Sequence, residues 1–398
     1  IEQAIEAQER IVVYGDYDVD GITATSLLCR NLRQLGANAG YFIPHRQKDG
    51  YGLHKETLDE IIAGGAGLIV TVDCGISAVE EAAAAKDKVD LIITDHHLPG
   101  QELPKALAVI DPHRADCAYP DKNIAGVGVA FKLCQALWQK MRGKAFTGDL
   151  DSVALGTVAD VVPLLGENRK IVQQGLRVLK KSKRPGIQAL LAVTELQEKE
   201  ITAGHIGFVL APRLNAAGRL ASALRGVELL LTEDGEEAQA IAEELDAANR
   251  ERQAVEQEIL QAAEKQIEEI DVKRAHVLVL HGEGWHPGVI GIVASRIVER
   301  YYRPTVIIAE EDGIGKGSCR SIRGFHMFEA LSACKEHLLG FGGHAQAAGL
   351  SLRSADIASF REAMEAYAAK VLTEEDFVPI LDIELELAPE KITEQLMT

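Results

Sequence analysis

The sequence predicts an α/β chain in which a parallel sheet with helical crossovers is joined by a long helix to a smaller α/β domain. Three observations carry this. Short apolar runs alternate with helical stretches over residues 1–175. A polar helical stretch without Gly or Pro follows Gly235 as far as Ile270, roughly 50 Å at 1.5 Å per residue. Alternation then resumes at Ala275–Leu280 and Pro304–Ala309.

Taken in order, strands are predicted near 10–15, 38–43, 67–73, 90–95 and 106–110, with helices near 22–35, 55–63, 77–86 and 125–141. Gly21 follows a run of acids, and Thr23 can cap the helix that starts there. Residues 176–232 read as helices with loops. In the polar stretch the apolar positions Ile241, Leu245, Val255, Ile259 and Ile267 are sparse, which suits a helix between two domains, with coiled-coil pairing as the alternative. GGHAQAAGLSL (Gly342–Leu352) precedes a strand, and FVPILDIELELAPE at 377–390 starts a strand pattern. The predicted organisation is a first domain at 1–232 (core 1–175, helical part 176–232), a connecting helix at 233–271, a second domain at 272–372, and the beginning of a further one at 373–398.

Length and composition fit a protein with enough core to need no staples. Its six cysteines (29, 74, 117, 134, 319, 334) form no CxxC pair and read as reduced, mostly core thiols. With no long apolar run or signal peptide in view, a cytoplasmic enzyme is expected. A chain that opens on Ile1 is expected to be a core fragment. The net charge of −18 argues against a generic nucleic-acid binder. Part of that acid, however, lies in one constellation, and part in the solvated helix of Glu233–Asp271.

The constellation carries the chemistry. The apolar run from Arg10 ends in Asp16, Asp18 and Asp20; GLIVTVDCG ends in Asp73; VDLIITDHH ends in Asp95, His96 and His97. In open α/β sheets ligands bind outside the carboxyl ends of the strands, so these residues project toward one crevice. Carboxylates converging without counter-charge repel and take up protons; a pair of divalent cations removes the difficulty. Oxygen ligands with an imidazole suit Mn²⁺ in preference to Mg²⁺, and zinc is disfavoured because Cys74 alone lies near a ligand spacing. Leu150–Leu165 adds Asp160, an isolated acid in an apolar helix, which costs on the order of several kcal/mol unless paired or metal-bound. Two metals about 3.5–4 Å apart serve in-line displacement at phosphorus, so hydrolysis of a phosphoester or phosphoanhydride is the first inference.

DYDVDG (Asp16–Gly21), VDCG (Val72–Gly75), DHH (Asp95–His97) and GTVAD (Gly156–Asp160) resemble the four ordered motifs of the DHH phosphoesterase superfamily. GFVLAPRLNAAGRL (Gly207–Leu220), HPGVIGIVASRIVERYYRPTVII (His286–Ile308), GKGSCRSI (Gly315–Ile322) and GGHAQAAGLSL resemble its bacterial RecJ branch with a DHHA1 domain. The resemblance covers nearly the whole chain. It implies a DHH domain, a long helix, a DHHA1 domain, and the edge of an OB-type domain at 373–398. It also implies a single-strand-specific 5′→3′ DNA exonuclease of repair and recombination, a monomer with single-strand DNA-binding protein and a RecQ-type helicase as partners. The four short motifs are shared with nanoRNases, cyclic-dinucleotide phosphodiesterases and family II pyrophosphatases, and the fold with the non-catalytic Cdc45 replication factor, whose sign would be lost motif acids.

Asp16, Asp18, Asp73, His96 and Asp160 are predicted metal ligands, with Asp73 as the bridge because its strand is central. Asp95 is expected to orient an imidazole, His97 to contact the scissile phosphate or protonate the leaving oxygen, and Asp20 to be a supporting or turn acid. Arg219 can hold the scissile phosphate by a bidentate fork, with Asn215 and His344 as further substrate contacts. Arg46, Ser318 and Arg320 are implied by the resemblance as a 5′-phosphate pocket. Tyr51 and Phe325 are the candidates for base stacking. Lys180–Arg184 (KKSKR) is either part of a basic groove or a solvated turn. The G-x-G of Ile124–Leu133 reads as close packing, not dinucleotide binding, and histidines 45, 54, 113, 205, 276, 281, 326 and 337 as surface or satisfied core.

Overall fold

The computed structural model describes all residues except 47, 48, 221, 384 and 398; the side chains at 217, 220, 395 and 397 are also left aside. The chain forms two compact units, Ile1–Arg252 and Gln253–Thr398.

The first unit is built on five parallel strands, β1 (Arg10–Tyr14), β2 (Asn38–Phe42), β3 (Ala66–Thr71), β4 (Asp90–Thr94) and β5 (Ala108–Ile110), in the order β2-β1-β3-β4-β5. This order reverses direction between β1 and β3, where such sheets open a crevice. The strands β1, β3 and β4 are apolar almost throughout because helices cover both faces of a parallel sheet. Helices at Val19–Gln34, Lys55–Ala63, Val79–Ala85 and Gly126–Arg142 supply that cover, and Leu150–Ala159 packs on the first of them.

The helix after β1 starts earlier than the sequence predicts. Asp18, in extended conformation, accepts a hydrogen bond from the Gly21 N–H at 3.0 Å and is the N-cap. Thr23 instead donates back to the Val19 carbonyl inside the helix (2.7 Å). A carboxylate serves an N-terminus better than a hydroxyl because it also meets the positive end of the helix dipole.

Farther along, a π-helical turn at Ile206–Leu210 runs into the helix Ala211–Leu220. Pro212 explains the widened turn: it has no N–H to give, and its ring crowds the carbonyl four residues back. The long helix runs Gly235–Glu268, its first amides held by the Asp234 carboxylate, and the division between units falls within it.

The second unit carries a mixed sheet in the order β6-β7-β8-β10-β9: β6 (Leu278–Glu283), β7 (Thr305–Glu311), β8 (Ile314–Arg320), β9 (Gly340–Gly343) and β10 (Ala347–Arg353). β6 and β7 are parallel, connected through the helix Ile290–Tyr301, and the remaining pairs are antiparallel. The free edge of β6 is blunted by Gln266, whose amide donates to the His281 carbonyl (2.6 Å) and accepts from its N–H (3.3 Å). Phe325, a stacking candidate, is buried in the core with Phe360, Met327 and Met364, edge-on to Tyr367; its apolar ring is worth more inside. Between 377 and 390 no described residue is in a strand, despite the alternating pattern.

Candidate metal centre

Each strand of the first sheet delivers a polar residue just past its carboxyl end: Asp16 and Asp18 after β1, Arg46 after β2, Asp73 after β3, Asp95 to His97 after β4, and Asp111 after β5. Asp160 is the C-cap of the helix Leu150–Ala159. Gly156 permits this approach: a side chain there would stand 2.3 Å from the Thr23 hydroxyl and 2.8 Å from an Asp20 oxygen.

Three overlapping trios result: Asp16, Asp18 and Asp73; Asp73, His96 and His97; Asp20, His96 and Asp160. Within each, one ligand atom per residue lies within 4.8 Å of the others. Asp73 and His96 are shared between trios. His96 Nε2 is 3.1 Å from Asp73 Oδ1, 3.6 Å from Asp160 Oδ2 and 3.7 Å from Asp20 Oδ2. Asp73 holds a left-handed backbone, φ +62°, and Gly126 leaves room for it, since a side chain there would meet Asp73 Oδ1 at 2.7 Å.

Of the two roles expected of Asp20, supporting acid or turn acid, its contacts suit the first. Fully buried, it accepts from the Gly126 N–H (2.6 Å) and the Val127 N–H (2.8 Å), tying the N-terminus of the Gly126–Arg142 helix to the motif. The G-x-G segment is thus a wall of the site.

The imidazole that Asp95 orients is that of His97 and not that of His96. Asp95 Oδ1 takes His97 Nδ1 at 2.7 Å together with the amides of His96 and His97, while Oδ2 takes the Ile76 amide at 2.9 Å. His96 is hydrogen bonded to the Ile124 backbone instead. Such a bond fixes the ring and aims the other nitrogen, as in many metal-binding histidines. The Tyr51 hydroxyl completes the group, 3.0 Å from His97 Nδ1 and 3.4 Å from the Asp73 carbonyl.

The electrostatics are those of crowded acids. Burial, then the charge of Asp18, pushes Asp16 up to about 8 and Asp160 up to about 7. Burial and the neighbouring carboxylates push Asp20 and Asp73 up as well. Burial and the proximity of His97 lower His96 to about 4, so its ring is neutral and free to ligate. For His97, burial opposes the charge, yet the bond and charge of Asp95 outweigh it and raise the group to about 9.

A metal pair fits these residues. Asp16 Oδ1, Asp73 Oδ1 and His96 Nε2 are buried without a hydrogen-bond partner, a state that costs roughly 1–3 kcal/mol per group, and more for a charged one, unless something else satisfies it. A donor set of carboxylate oxygens with imidazole is the one for Mn²⁺ or Mg²⁺.

Arg46 stacks on Tyr17, 4.7 Å from the ring centroid, and its charge is felt at Asp16. The helix Ala211–Leu220 brings its end to the same loop: a side chain at Gly218 would lie 2.9 Å from the Tyr17 carbonyl, and Arg219 acts electrostatically on Tyr17. Asn215 is half-buried one turn earlier. Arg184 of the KKSKR run is engaged elsewhere, with Asp149 and Asp151, and so is not a free groove cation. In the second unit, Arg320 donates to the Ser318 hydroxyl (3.3 Å) and the Cys319 carbonyl (2.8 Å), and Gly291 at the start of a helix lies against both side chains. His344 is exposed in the β9–β10 turn.

The sequence reading passes over Asp111 and takes His113 as surface or satisfied core. Asp111 and His113 each bury an atom without a partner (Oδ2 and Nδ1), and their charges act on Asp95, His96 and His97. The signal was available, since DPH directly follows β5, a fourth strand ending in ligand-type residues.

Residues 10–157 match the DHH family, N-terminal domain, and residues 273–370 match the DHHA1 domain. The single-stranded-DNA-specific exonuclease RecJ of Dickeya dadantii (strain 3937) is 45% identical over 384 residues, covering 91% of this chain and 67% of that protein. The chain belongs to the RecJ family. Bacillus subtilis (strain 168) RecJ is 45% identical over 396 residues, 99% of this chain but 50% of its own length. The chain therefore spans about half the length of that relative. A solved structure, exonuclease RecJ bound to manganese, aligns over 94% of this chain and 95% of its own with a TM-score of 0.83 and 38% identity. The RecJ family thus accounts for both sheets and for the α/β class read from the sequence.

Proposed function

We propose that the chain hydrolyses phosphodiester bonds of single-stranded DNA from the 5′ end, releasing 5′-mononucleotides. The observation that carries this reading is the convergence of three buried, unpartnered ligand atoms, on Asp16, Asp73 and His96, among further carboxylates at the sheet's switch point. Membership of the RecJ family supports the substrate class.

Asp16, Asp18, Asp73, His96 and Asp160 would hold two divalent cations, Mn²⁺ in preference to Mg²⁺, with Asp20 supporting. When bound, the ions supply positive charge against that developing on the phosphate. His97, protonated below about pH 9 and steadied by Asp95, hydrogen bonds the scissile phosphate or gives the leaving oxygen its proton. Arg219 forks onto a phosphate, and Arg46, Ser318 and Arg320 take further phosphate oxygens, favouring a 5′-phosphorylated end. Tyr51, Asn215 and His344 are the remaining substrate contacts. Family membership supports a monomer working in cytoplasmic DNA repair and recombination with single-strand DNA-binding protein and a RecQ-type helicase.

The test uses 5′- and 3′-labelled single strands of several lengths, duplex controls and dinucleotides, with Mn²⁺, over a salt series. Expected are 5′ mononucleotide release, intact blunt duplexes, and affinity that falls steeply with salt because several phosphates shed counterions. Arg46→Ala and Arg320→Ala should each weaken the preference for a 5′ phosphate. Equal cutting of duplex, or faster turnover of dinucleotides, would overturn the reading in favour of a small-substrate phosphodiesterase.

A further inference from the structure

Two apolar side chains stand almost wholly in solvent near the helix that ends at Asp160, the fourth carboxylate of the metal centre. Val161 is 85% exposed and Phe208 86%. Val161 follows Asp160 directly, so its Cα lies about 3.8 Å from that of a proposed ligand. Phe208 sits on the π-helical turn Ile206–Leu210. Val158 relates the two: its carbonyl accepts the Val161 N–H at 3.3 Å, and a side chain at Gly207 would lie 4.0 Å from its Cγ1.

Both residues are where folding alone would not put them. Val161 holds φ +62°, the left-handed conformation that glycine adopts just past a helix end. For a β-branched residue that conformation is strained, and here the strain gains no burial. Phe208 leaves its ring outside the core, against the strongest tendency of its type. Strained backbone and π-turns both cluster at functional sites.

We propose that Val161 and Phe208 form an apolar contact for the nucleobases flanking the scissile phosphate. The inference rests on the single-strand nuclease reading above. An unpaired strand offers its base faces, which a duplex hides in its stack, and apolar or aromatic side chains are the groups that bind such faces whatever the sequence. A phosphate held at the metal centre carries its base one deoxyribose away, within reach of the residue next to a ligand. The pair sets affinity for the strand and leaves the chemistry to the acids and histidines.

The test compares the parent 398-residue chain with Val161→Gly, Val161→Asn and Phe208→Ala. Asn, like Gly, tolerates the left-handed region, so both Val161 variants relieve strain while removing the apolar contact. Melting temperature, KM and kcat are measured with Mn²⁺ on 5′-phosphorylated single strands, intact or abasic at the first few nucleotides. The two Val161 variants should melt at or above the parent's temperature, yet raise KM about tenfold with kcat within about twofold. Phe208→Ala should raise KM similarly. On abasic strands the parent's own KM should be raised and the variants should add nothing further. Unchanged KM in all three variants, or an equal rise on intact and abasic strands, overturns the contact. If Val161→Gly and Val161→Asn both melt clearly lower, the strain argument is overturned and Phe208→Ala decides whether a base contact exists. A parent that does not cut single strands removes the nuclease reading, and this inference with it.

Discussion

In the first unit Asp16, Asp73 and His96 each bury an atom that nothing satisfies, whereas in the second His276 and His281 stand 2.7 and 2.5 Å from Glu365 and Glu310. The contrast extends further. All the buried side-chain polar atoms without a partner, among the described residues, belong to the first unit. The second unit's core is an apolar cluster around Phe325, Phe360 and Met364. Left-handed backbone at a non-glycine residue occurs in both units, at Asp73 and Val161 beside the acids of the first and at Tyr302 and Asp312 in the second. A natural fold satisfies its buried polar groups nearly everywhere, so the exceptions mark where stability has been traded for chemistry. Here five of the nine residues concerned, Asp16, Asp73, His96, Asp111 and His113, follow the carboxyl ends of one parallel sheet.

The largest expected effect comes from removing one charge from that cluster. Asp73→Asn or Asp160→Asn keeps the shape but loses a charged ligand, and turnover should fall by about a hundredfold or more. Because each variant also relieves repulsion among buried acids, the metal-free chain should melt no lower than the parent. Near-normal turnover in both variants would dissolve the distinction between the units. Chelation should abolish activity, with Mn²⁺ restoring it at lower concentration than Mg²⁺.

The next effect is on stability against pH. Asp16 and Asp160, raised to about 8 and about 7, keep protons in the folded state that the unfolded chain releases near pH 4. Between those limits the folded state binds more protons, so the metal-free chain loses stability as pH rises from about 4 toward 8. Bound Mn²⁺ takes the place of those protons and should flatten the dependence. Melting curves from pH 5 to 8, with chelator and with Mn²⁺, measure it. A metal-free melting temperature that climbs with pH would contradict the crowding of acids described above.

The smallest effect belongs to the second unit. Glu365→Gln weakens a partly exposed pair with His276, and surface pairs of this kind contribute about 0–1 kcal/mol. The melting temperature should move by at most a few degrees, and the amount of Mn²⁺ bound, read by titration, should not move at all. A change in metal binding from this position would mean that the two units do not divide polarity as argued.

Much of the architecture was legible because its signals are local. Runs such as IVVY, LIVT and LIIT announce strands buried on both faces, and the acids after them fall at the sheet's carboxyl ends by topology alone. Asp16, Asp18, Asp73, His96 and Asp160 could be nominated on that ground. The edge of another strand at 377–390 could not be settled the same way, since alternation describes what a strand would bury and not whether a neighbour is present to pair with it.

What the chain by itself determined, then, is the succession of strands and helices and the residue types at their ends, because side-chain periodicity and backbone preference act over a few residues. The tertiary structure alone decided which groups meet. Asp20 finds the amides of Gly126 and Val127 more than a hundred positions away. Asp95 takes the ring of His97, although His96 was nearer in sequence. Gly126 and Gly156 turn out to be the space that Asp73 and Asp20 occupy, and Val161 is forced left-handed just past Asp160. Such choices depend on distances of a few ångström between segments remote in the chain, and packing sets those distances only when the whole sheet has closed over its helices.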